Sequence, residues 1–327
     1  MNPLDQLEPH ARAYMERLIR EGGKPLPQLS IEAARQYMRD SQPTPLAHDS
    51  VTIETTETAD VPLTLVRPSG TQAALPAILY LHGGGWALGG IATHARIVRE
   101  LALRAQAVIA APEYSLSPEA RFPVALEECY TTACWLQSQG AAHNIAADRL
   151  AVAGDSAGGN LAAALALLTV RRGGPAFRLQ VLLCPVLQAS STTDSYRDFA
   201  DGLNLTKDAM EWFWEKYVTS DTQRPDPLVS PLQASSAELA RVAPAFIITA
   251  GCDILRDEGE QYAKRLMEAG VAVTATRYLG TLHNFPVIDD LQSSGPASAA
   301  LLAMGNALQL ALHSNPSHQA MTHTSPA

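Results

Sequence analysis

The stretch that decides the fold is "LAVAGDSAGGN", residues 150–160, in which Ser156 stands between Gly154 and Gly158. It joins an apolar run to the run "LAAALALLTV", which indicates a strand that turns sharply into a buried helix at the serine. A sharp turn crowds the backbone, and glycine lacks the Cβ atom that would clash. The serine hydroxyl would then project from the turn at a helix N-terminus, where negative charge is stabilised. The same letters also fit a glycine-rich turn capped by a serine, so the rest of the chain must decide.

A nucleophilic serine needs a general base that follows it in the chain. On this kind of sheet the order is nucleophile, acid, histidine. Four histidines follow Ser156, and three of them, His313, His318 and His323, lie at or beyond the end of the last predicted helix. His283 instead follows the last predicted core strand, in "YLGTLHNFP", where a loop brings it back over the sheet. We therefore predict that His283 is the base.

The acid that orients the histidine is predicted in the segment "GCDILRDEGE". Asp253 follows the strand "AFIITA" closely, at the carboxyl end of a strand, where parallel sheets bind their ligands. Asp257 and Glu258 stand further on, where the next helix has begun and acidic side chains suit the helix dipole. Asp253 is therefore predicted to hold the tautomer of His283 and to stabilise the imidazolium that forms.

Amides for the oxyanion are predicted in the loop "HGGGWALGG", residues 82–90, called the HGGG loop below. Such a loop supplies a backbone N–H beside that of the residue after the nucleophile. We assign the amides of Gly83, Gly84 and Ala157 to the oxyanion hole, and His82 to bracing the loop. A dinucleotide-binding loop is the competing interpretation, but no acidic residue stands about 20 positions further on at the end of a second strand.

Near-continuous apolar runs alternate with helical patterns over most of the chain. Such runs are typical of strands buried on both faces of a sheet. They read "AILYLH" from residue 77, "AVIAAPEY" from 107, "LAVAGD" from 150, "LQVLLCP" from 179, "AFIITAG" from 245 and "VAVTATRYL" from 271. The alternation predicts an α/β fold with a mostly parallel sheet and helices on both faces. Two earlier runs, "VTIETTE" from 51 and "LTLVRP" from 63, alternate like exposed antiparallel strands.

Two helical segments outside this alternation predict a cap over the strand ends. Residues 1–45 contain two helical patterns and precede every strand. Residues 187–228 interrupt the catalytic domain, 46–312, with a polar loop and the aromatic helix "KDAMEWFWEKYV". An insertion of this length between core strands is usually functional. The polar tail, 313–327, is predicted to be disordered.

The composition argues against several classes of function. The 327 residues are 46% hydrophobic with a net charge of −9, and no cluster of Lys and Arg suits phosphate binding. A nucleic-acid partner is therefore not expected. We see no apolar signal-peptide region and no run of about 18 apolar residues, so neither secretion nor a membrane span is expected. Four cysteines without CxxC spacing indicate reduced thiols and a cytoplasmic protein.

With HGGG, GDSAGG, a later Asp and a later His in this order, the chain resembles the hormone-sensitive-lipase-like family of bacterial carboxylesterases (family IV), a group of α/β hydrolases. "EYSLSPEARFPVALEECY" from residue 113 and "ITAGCDILRDEG" from 248 also match that family. The resemblance covers roughly residues 30–312. It implies an α/β-hydrolase fold with a helical cap, and a serine hydrolase that cleaves small-molecule esters with short to medium acyl chains. It also implies a homodimer, and no metal or organic cofactor.

Two features leave the substrate open. The family usually has glycine after the catalytic histidine, whereas this chain has Asn284, which tolerates a left-handed backbone but would narrow the site beside His283. Trp86 in the HGGG loop, and Trp212 and Trp214 in the insertion, are predicted to line the pocket; a plain core role fits them equally.

Two alternative functions remain beside the carboxylesterase. One is an amidase or aryl-formamide hydrolase with the same triad, because ester and amide hydrolysis differ only in the contacts to the leaving group. The other is a non-catalytic small-molecule receptor on the same fold. Retention of serine, aspartate and histidine together argues against the receptor.

Overall fold

The computed structural model describes residues 2–190 and 192–314. Its centre is one eight-stranded sheet with the strand order β1-β2-β4-β3-β5-β6-β7-β8. β2 pairs antiparallel with both β1 and β4, and all the other neighbours are parallel. The strands are β1 Val51–Thr58, β2 Val61–Pro68, β3 Leu75–Leu81, β4 Val108–Pro112, β5 Ile145–Asp155, β6 Gln180–Leu183, β7 Ala245–Cys252 and β8 Val273–Leu282.

Helices alternate with the strands from β3 onward, and two helices precede the sheet. They are α1 Pro9–Glu21, α2 Ile31–Asp40, α3 Ala95–Ala105, α4 Val124–Gln139, α5 Ala157–Arg172, α6 Asp194–Asp198, α7 Lys207–Tyr217, α8 Ser236–Leu239, α9 Arg256–Glu268 and α10 Gly295–His313. The predicted α/β fold with a mostly parallel sheet is confirmed.

The two outer regions of the sheet are buried differently from the prediction. Most residues of β2, predicted as an exposed strand, are buried because β2 lies between β1 and β4. Half of the residues of β8, predicted as buried on both faces, are exposed because β8 is the edge strand. The burial of a strand here depends on its position in the sheet. The hydrophobic period of its own residues does not indicate that position.

The turn after β5 carries Ser156 at the carboxyl edge of the sheet. Ser156 has a φ of 53°, and α5 begins at the next residue, Ala157. A Cβ atom on Gly154 would lie 2.3 Å from the carbonyl oxygen of Gly158, and one on Gly158 would lie 1.9 Å from that of Leu81. Both glycines are therefore needed to bring the start of α5 against the ends of β3 and β5.

Gly158→Ala is expected to lower the free energy of unfolding by about 3 kcal/mol or more, because its Cβ would overlap backbone atoms that cannot move aside alone. Urea unfolding followed by circular dichroism measures the change. Gly295→Ala is the matched control, since a Cβ atom at Gly295 would meet no atom within 4 Å. That variant should change by less than about 1 kcal/mol. Equal stability of the two variants would contradict the close approach at Gly158.

The N-terminal segment, residues 2–50, contains α1 and α2 and connects two loops at the carboxyl edge of the sheet. Arg35 of α2 donates to the carbonyl oxygen of Ala87 in the HGGG loop at 2.9 Å, and forms a bidentate ion pair with Glu119. Thr44 N–H donates at 3.0 Å to Asp289, in the loop that follows β8. The segment thus bridges the HGGG loop and residues 283–290, called the histidine loop below.

The insertion between β6 and α8 also contacts both loops. Phe213 of α7 packs directly on the HGGG loop, since a Cβ atom at Gly85 would lie 2.0 Å from its ring. Asn204 donates to the carbonyl oxygen of His283 at 2.9 Å. These two contacts place the aromatic face of α7 beside the end of β3.

No helix in the described part of the chain is long and apolar enough to cross a membrane. α5 is apolar over much of its length, but its residues 157–169 are all buried in the core, as the sequence predicts. α10 ends at His313, which the sequence analysis places in the tail. The rest of the predicted tail, from residue 315 on, lies outside the described residues.

Candidate active site

Three side chains predicted from the sequence meet in one hydrogen-bonded chain. His283 Nε2 lies 2.9 Å from Ser156 Oγ, and His283 Nδ1 lies 2.8 Å from Asp253 Oδ2. The other carboxylate oxygen, Asp253 Oδ1, accepts from the amide of Leu255 at 3.0 Å. Because a carboxylate only accepts hydrogen bonds, Nδ1 carries the proton and Nε2 is free to accept from the serine hydroxyl.

The sheet brings these residues together although they are far apart in the sequence. Ser156 follows β5, Asp253 follows β7 and His283 follows β8, so all three stand at the carboxyl edge of the sheet. All three are buried, with exposed fractions of 6%, 2% and 7%. Burial weakens the screening by water, so the charge that forms on the histidine acts strongly on its neighbours.

The other two candidate acids hold different parts of the structure. Asp257 pairs with Arg256 and accepts from the amide of Ser195 at 2.7 Å. Glu258 Oε1 accepts from the amide of Leu187 at 2.6 Å, and burial raises the pKa of Glu258 well above its ordinary value. Both side chains therefore anchor the insertion to the start of α9, whereas Asp253 faces the histidine.

The three glycine amides of the HGGG loop differ in their hydrogen bonds. The Gly83 amide donates to Asp155 Oδ1 at 3.1 Å, which conflicts with its predicted role as an oxyanion donor. Among the described residues, no hydrogen bond is donated by the amides of Gly84, Gly85 or Ala157. Gly84 and Gly85 have φ values of 118° and 59°, so a side chain at either position would be strained. Asp155, directly before Ser156, is the sequence feature that could have indicated that one glycine amide donates to a side chain.

Comparison with known proteins agrees with this geometry. Residues 78–287 match a family described by its alpha/beta hydrolase fold. The chain belongs to this α/β-hydrolase family. It is 37% identical over 293 residues to an ethyl acetate hydrolase of Pseudomonas putida, a match that covers 85% of this chain and 92% of the relative. It is 39% identical over 297 residues to the carboxylic ester hydrolase LipN of Mycobacterium tuberculosis, covering 85% of this chain and 76% of the relative.

A solved structure gives the same result. The crystal structure of a thermostable esterase from Pseudomonas putida superimposes with a TM-score of 0.92 at 40% sequence identity, covering 95% of this chain and 99% of that one. The resemblance to hormone-sensitive-lipase-like carboxylesterases is confirmed, and so is the expectation of a hydrolase of the esterase class.

A buried ion pair lies behind the HGGG loop of this α/β hydrolase, which the sequence analysis missed. Asp155 Oδ2 lies 3.3 Å from His94 Nε2, and Asp155 Oδ1 accepts from the Tyr80 hydroxyl at 2.7 Å. Burial opposes the charge on each partner, but their mutual attraction outweighs it. The pKa of His94 is therefore raised and that of Asp155 is lowered. Each partner thus favours the charged form of the other.

His82, the first residue of the HGGG loop, is neutral and braces the loop. Its ring stacks on that of Tyr114 with centroids 4.3 Å apart, and its Nδ1 donates to the carbonyl oxygen of Gly83 at 2.8 Å. Burial lowers the pKa of His82 to about 4, so at neutral pH the imidazole is uncharged. The predicted bracing role fits these contacts.

The predicted pocket tryptophans form part of a buried aromatic cluster. Trp86 stacks on Tyr217 with centroids 4.1 Å apart and contacts Trp214 at 4.6 Å. Both Trp86 and Trp214 are almost completely buried. Trp212 lies at the edge of the cluster, where Lys216 Nζ sits 3.7 Å from the centre of its ring. Phe213 of α7 packs on Gly85 of the HGGG loop, beside the contacts that Trp214 and Tyr217 make with Trp86, and the sequence did not single it out.

One group of metal-ligand side chains gathers in the described part of the chain. Cys184, Asp253 and His283 present ligand atoms within 4.8 Å of one another. Two of these residues already form the hydrogen-bonded chain to Ser156. Burial and the nearby Asp253 carboxylate raise the pKa of the Cys184 thiol well above its ordinary value, so it stays protonated. Because Asp253 and His283 are hydrogen-bonded to each other and His283 to Ser156, the group fits a hydrolytic triad.

Proposed function

We propose that this α/β hydrolase cleaves esters of short- to medium-chain carboxylic acids through an acyl-enzyme on Ser156. The observation that carries the proposal is the continuous hydrogen-bonded chain from Asp253 through His283 to Ser156 Oγ. Its two distances of 2.8 and 2.9 Å are short enough for direct proton transfer. The ester-hydrolase names of the relatives support the same class of substrate.

In the proposed acylation, Ser156 Oγ forms a bond with the ester carbonyl carbon while His283 Nε2 takes the hydroxyl proton. Asp253 accepts from Nδ1–H and stabilises the imidazolium. When the tetrahedral intermediate collapses, its C–O bond breaks and the alcohol leaves with the proton from Nε2. A water molecule then gives a proton to Nε2 while its oxygen attacks the acyl carbon. The bond between the acyl carbon and Oγ breaks, Nε2 returns the proton to Oγ, and the acid and free Ser156 are released.

The proposed oxyanion donors are the amides of Gly84, Gly85 and Ala157, in place of the set that includes Gly83. Support comes from the hydrogen bonds, since the Gly83 amide faces Asp155 while these three amides donate to no described residue. Ala157 is the first residue of α5, so the helix dipole also favours negative charge at this point. Donors held in place before the reaction stabilise the oxyanion without reorganising.

The N-terminal segment and the insertion are proposed to act together as a cap over the site. Their contacts with the HGGG loop and the histidine loop support this assignment. Trp86, Trp212 and Trp214 are proposed to limit the acyl or alcohol side of the pocket. The ring of Phe213 occupies the space beside Gly85, and Trp214 and Tyr217 pack on the neighbouring Trp86, which favours small acyl groups.

Hydrolysis of p-nitrophenyl acetate, butyrate, octanoate and palmitate by the wild type tests the proposal. We expect kcat/KM to be highest for acetate or butyrate and to fall by about 100-fold or more towards palmitate, because a filled pocket rejects added methylenes. p-Nitroacetanilide in the same assay addresses the amidase alternative, and faster cleavage of the anilide would favour it. A folded wild type that neither cleaves these compounds nor reacts with a fluorophosphonate would instead support the receptor.

A cytoplasmic location and a homodimer stay predictions. The four cysteines are free in the structure, which is consistent with a reducing compartment. β8 is an edge strand with many exposed residues, and a second copy of the chain could cover it.

A further inference from the structure

Asn284, the residue after His283, is hydrogen-bonded to Asp155, the residue before Ser156. Its Nδ2 donates to Asp155 Oδ2 at 2.7 Å, and its φ of 56° is left-handed. Its Oδ1 is buried and accepts from no described residue. The side chain therefore points towards Asp155, rather than simply narrowing the site beside His283 as the sequence analysis expected.

The carboxylate of Asp155 fixes which way the amide of Asn284 points. Oδ2 of Asp155 is an acceptor, since the pKa of Asp155 is held low by His94 and by hydrogen bonds. An amide turned by 180° would place an acceptor oxygen against an acceptor oxygen. The assignment of Nδ2 as the donor is thus determined by the neighbouring charge and not only by fit.

Asp155 contacts several of the segments that form the site. It accepts hydrogen bonds from the Tyr80 hydroxyl in β3 and from the Gly83 amide of the HGGG loop, and its Oδ2 lies 3.3 Å from Nε2 of His94, the residue before α3. It directly precedes Ser156 in the chain. Asn284 adds the histidine loop to this set, so a single carboxylate ties the nucleophile, the oxyanion loop and the general base together.

We propose that Asn284 is a positioning residue that ties the histidine loop to the nucleophile turn and so sets the distance between His283 Nε2 and Ser156 Oγ. The inference rests on the proposed function, because it assumes that this pair transfers the proton. A hydrogen bond to a buried carboxylate is stronger than one between neutral groups, and so resists small movements of the loop. Asn284 acts through His283 and does not itself react.

Asn284→Gly removes the tether and keeps the left-handed backbone relaxed. We expect kcat for p-nitrophenyl acetate to fall about 10-fold, as for the loss of one hydrogen bond to a charged group, while KM changes less than about 2-fold. Asn144→Gly is the matched control: Asn144 also has a left-handed φ, 53°, and lies just before β5 begins, at the opposite end of that strand from Ser156. An unchanged kcat in Asn284→Gly, or a change in KM alone, would overturn the proposal.

Asn284→Asp should give a pH dependence of kcat that a purely structural role of Asn284 would not produce. It also tests the proposal if Asn284→Gly does not fold. The new carboxylate would face Asp155 at hydrogen-bond distance. The titratable groups around this site are Asp155, His94, His82, Tyr80, His283 and Cys184. Two like charges raise the pKa of the pair, so at lower pH one shared proton restores the hydrogen bond.

The quantity to measure is the ratio of kcat in Asn284→Asp to kcat in the wild type, because effects of pH that both proteins share cancel in it. We expect this ratio to rise about 10-fold between about pH 9 and about pH 6. A ratio that does not depend on pH would contradict a tether between residues 284 and 155.

Failure of this inference can be told apart from failure of the proposed function. If the wild type cleaves no ester, the rate at which a fluorophosphonate labels Ser156 replaces kcat, since it depends on the same serine–histidine geometry. We expect about 10-fold slower labelling in Asn284→Gly than in the wild type and in Asn144→Gly. Equal labelling rates in all three proteins would overturn the positioning role.

Discussion

Ser156→Ala is expected to lower kcat/KM for p-nitrophenyl butyrate at least about 10³-fold, because the variant lacks the atom that forms the acyl bond. The oxyanion amides and the pocket remain, so a small residual rate above that of water is expected. Initial rates measured at several enzyme concentrations give the change. Labelling by a fluorophosphonate should disappear in the same variant.

Two comparisons separate the loss of the Ser156 hydroxyl from misfolding and from the loss of an unrelated hydroxyl. Alanine keeps a Cβ atom at the φ of 53°, so the strain at the turn is the same in both proteins and folding should be preserved. Ser138→Ala changes an exposed helical serine whose hydroxyl donates a hydrogen bond to the carbonyl oxygen of Cys134. This variant should leave the rate unchanged. If Ser156→Ala retained more than a tenth of the activity and was still labelled, the nucleophile would be a different residue.

The triad could be predicted because chain order and strand ends determine it. Gly154 and Gly158 predict a turn too tight for a side chain. A Cβ atom at these positions would lie only 2.3 and 1.9 Å, respectively, from a backbone carbonyl oxygen. Once Ser156 is placed after one strand, the acid and the base must follow later strands of the same parallel sheet. Asp253 and His283 satisfy this order, and the structure places both on the hydrogen-bonded chain to Ser156.

The oxyanion loop could be located but its donors could not be assigned from the sequence. Three successive glycines offer three amides, and spacing does not say which of them face the substrate. That choice depends on Asp155, which takes the Gly83 amide across a gap of 72 positions in the sequence. The same carboxylate redirects Asn284, so both departures from the prediction have one physical cause. A buried charge needs hydrogen-bond donors, and these come from segments that are distant in the sequence. A local sequence pattern does not reveal which segments supply them.

The strand order also could not be predicted from the hydrophobic pattern of the sequence. The run at β8 is apolar enough to be a central strand, yet no strand follows it in the sheet and half of its residues are exposed. β2 has the alternation of a half-exposed strand, yet neighbours on both sides help to bury it. Which strand lies at an edge is decided by how the whole chain packs, so the period of one strand predicts that it is a strand but not how far it is covered.

Asp253→Asn is expected to lower kcat about 10⁴-fold at neutral pH while leaving the fold intact, because asparagine has nearly the same size and shape. In the wild type, Oδ1 accepts from the Leu255 amide and Oδ2 accepts from His283 Nδ1. An asparagine must keep its oxygen on the Leu255 amide, so its NH₂ group faces Nδ1. Nδ1 then becomes an acceptor, the proton moves to Nε2, and Nε2 can no longer take a proton from Ser156.

Asp257→Asn is the matched control, since Asp257 is the neighbouring carboxylate and its contacts are with Arg256 and Ser195. That variant should lose less than about 10-fold in kcat, because it leaves the tautomer of His283 unchanged. Equal losses in the two variants would mean that the acidic segment acts by holding α9 and the insertion in place. A large loss in Asp253→Asn alone would mean that one carboxylate sets the direction of proton transfer from Ser156, which the 2.8 Å contact with Nδ1 requires.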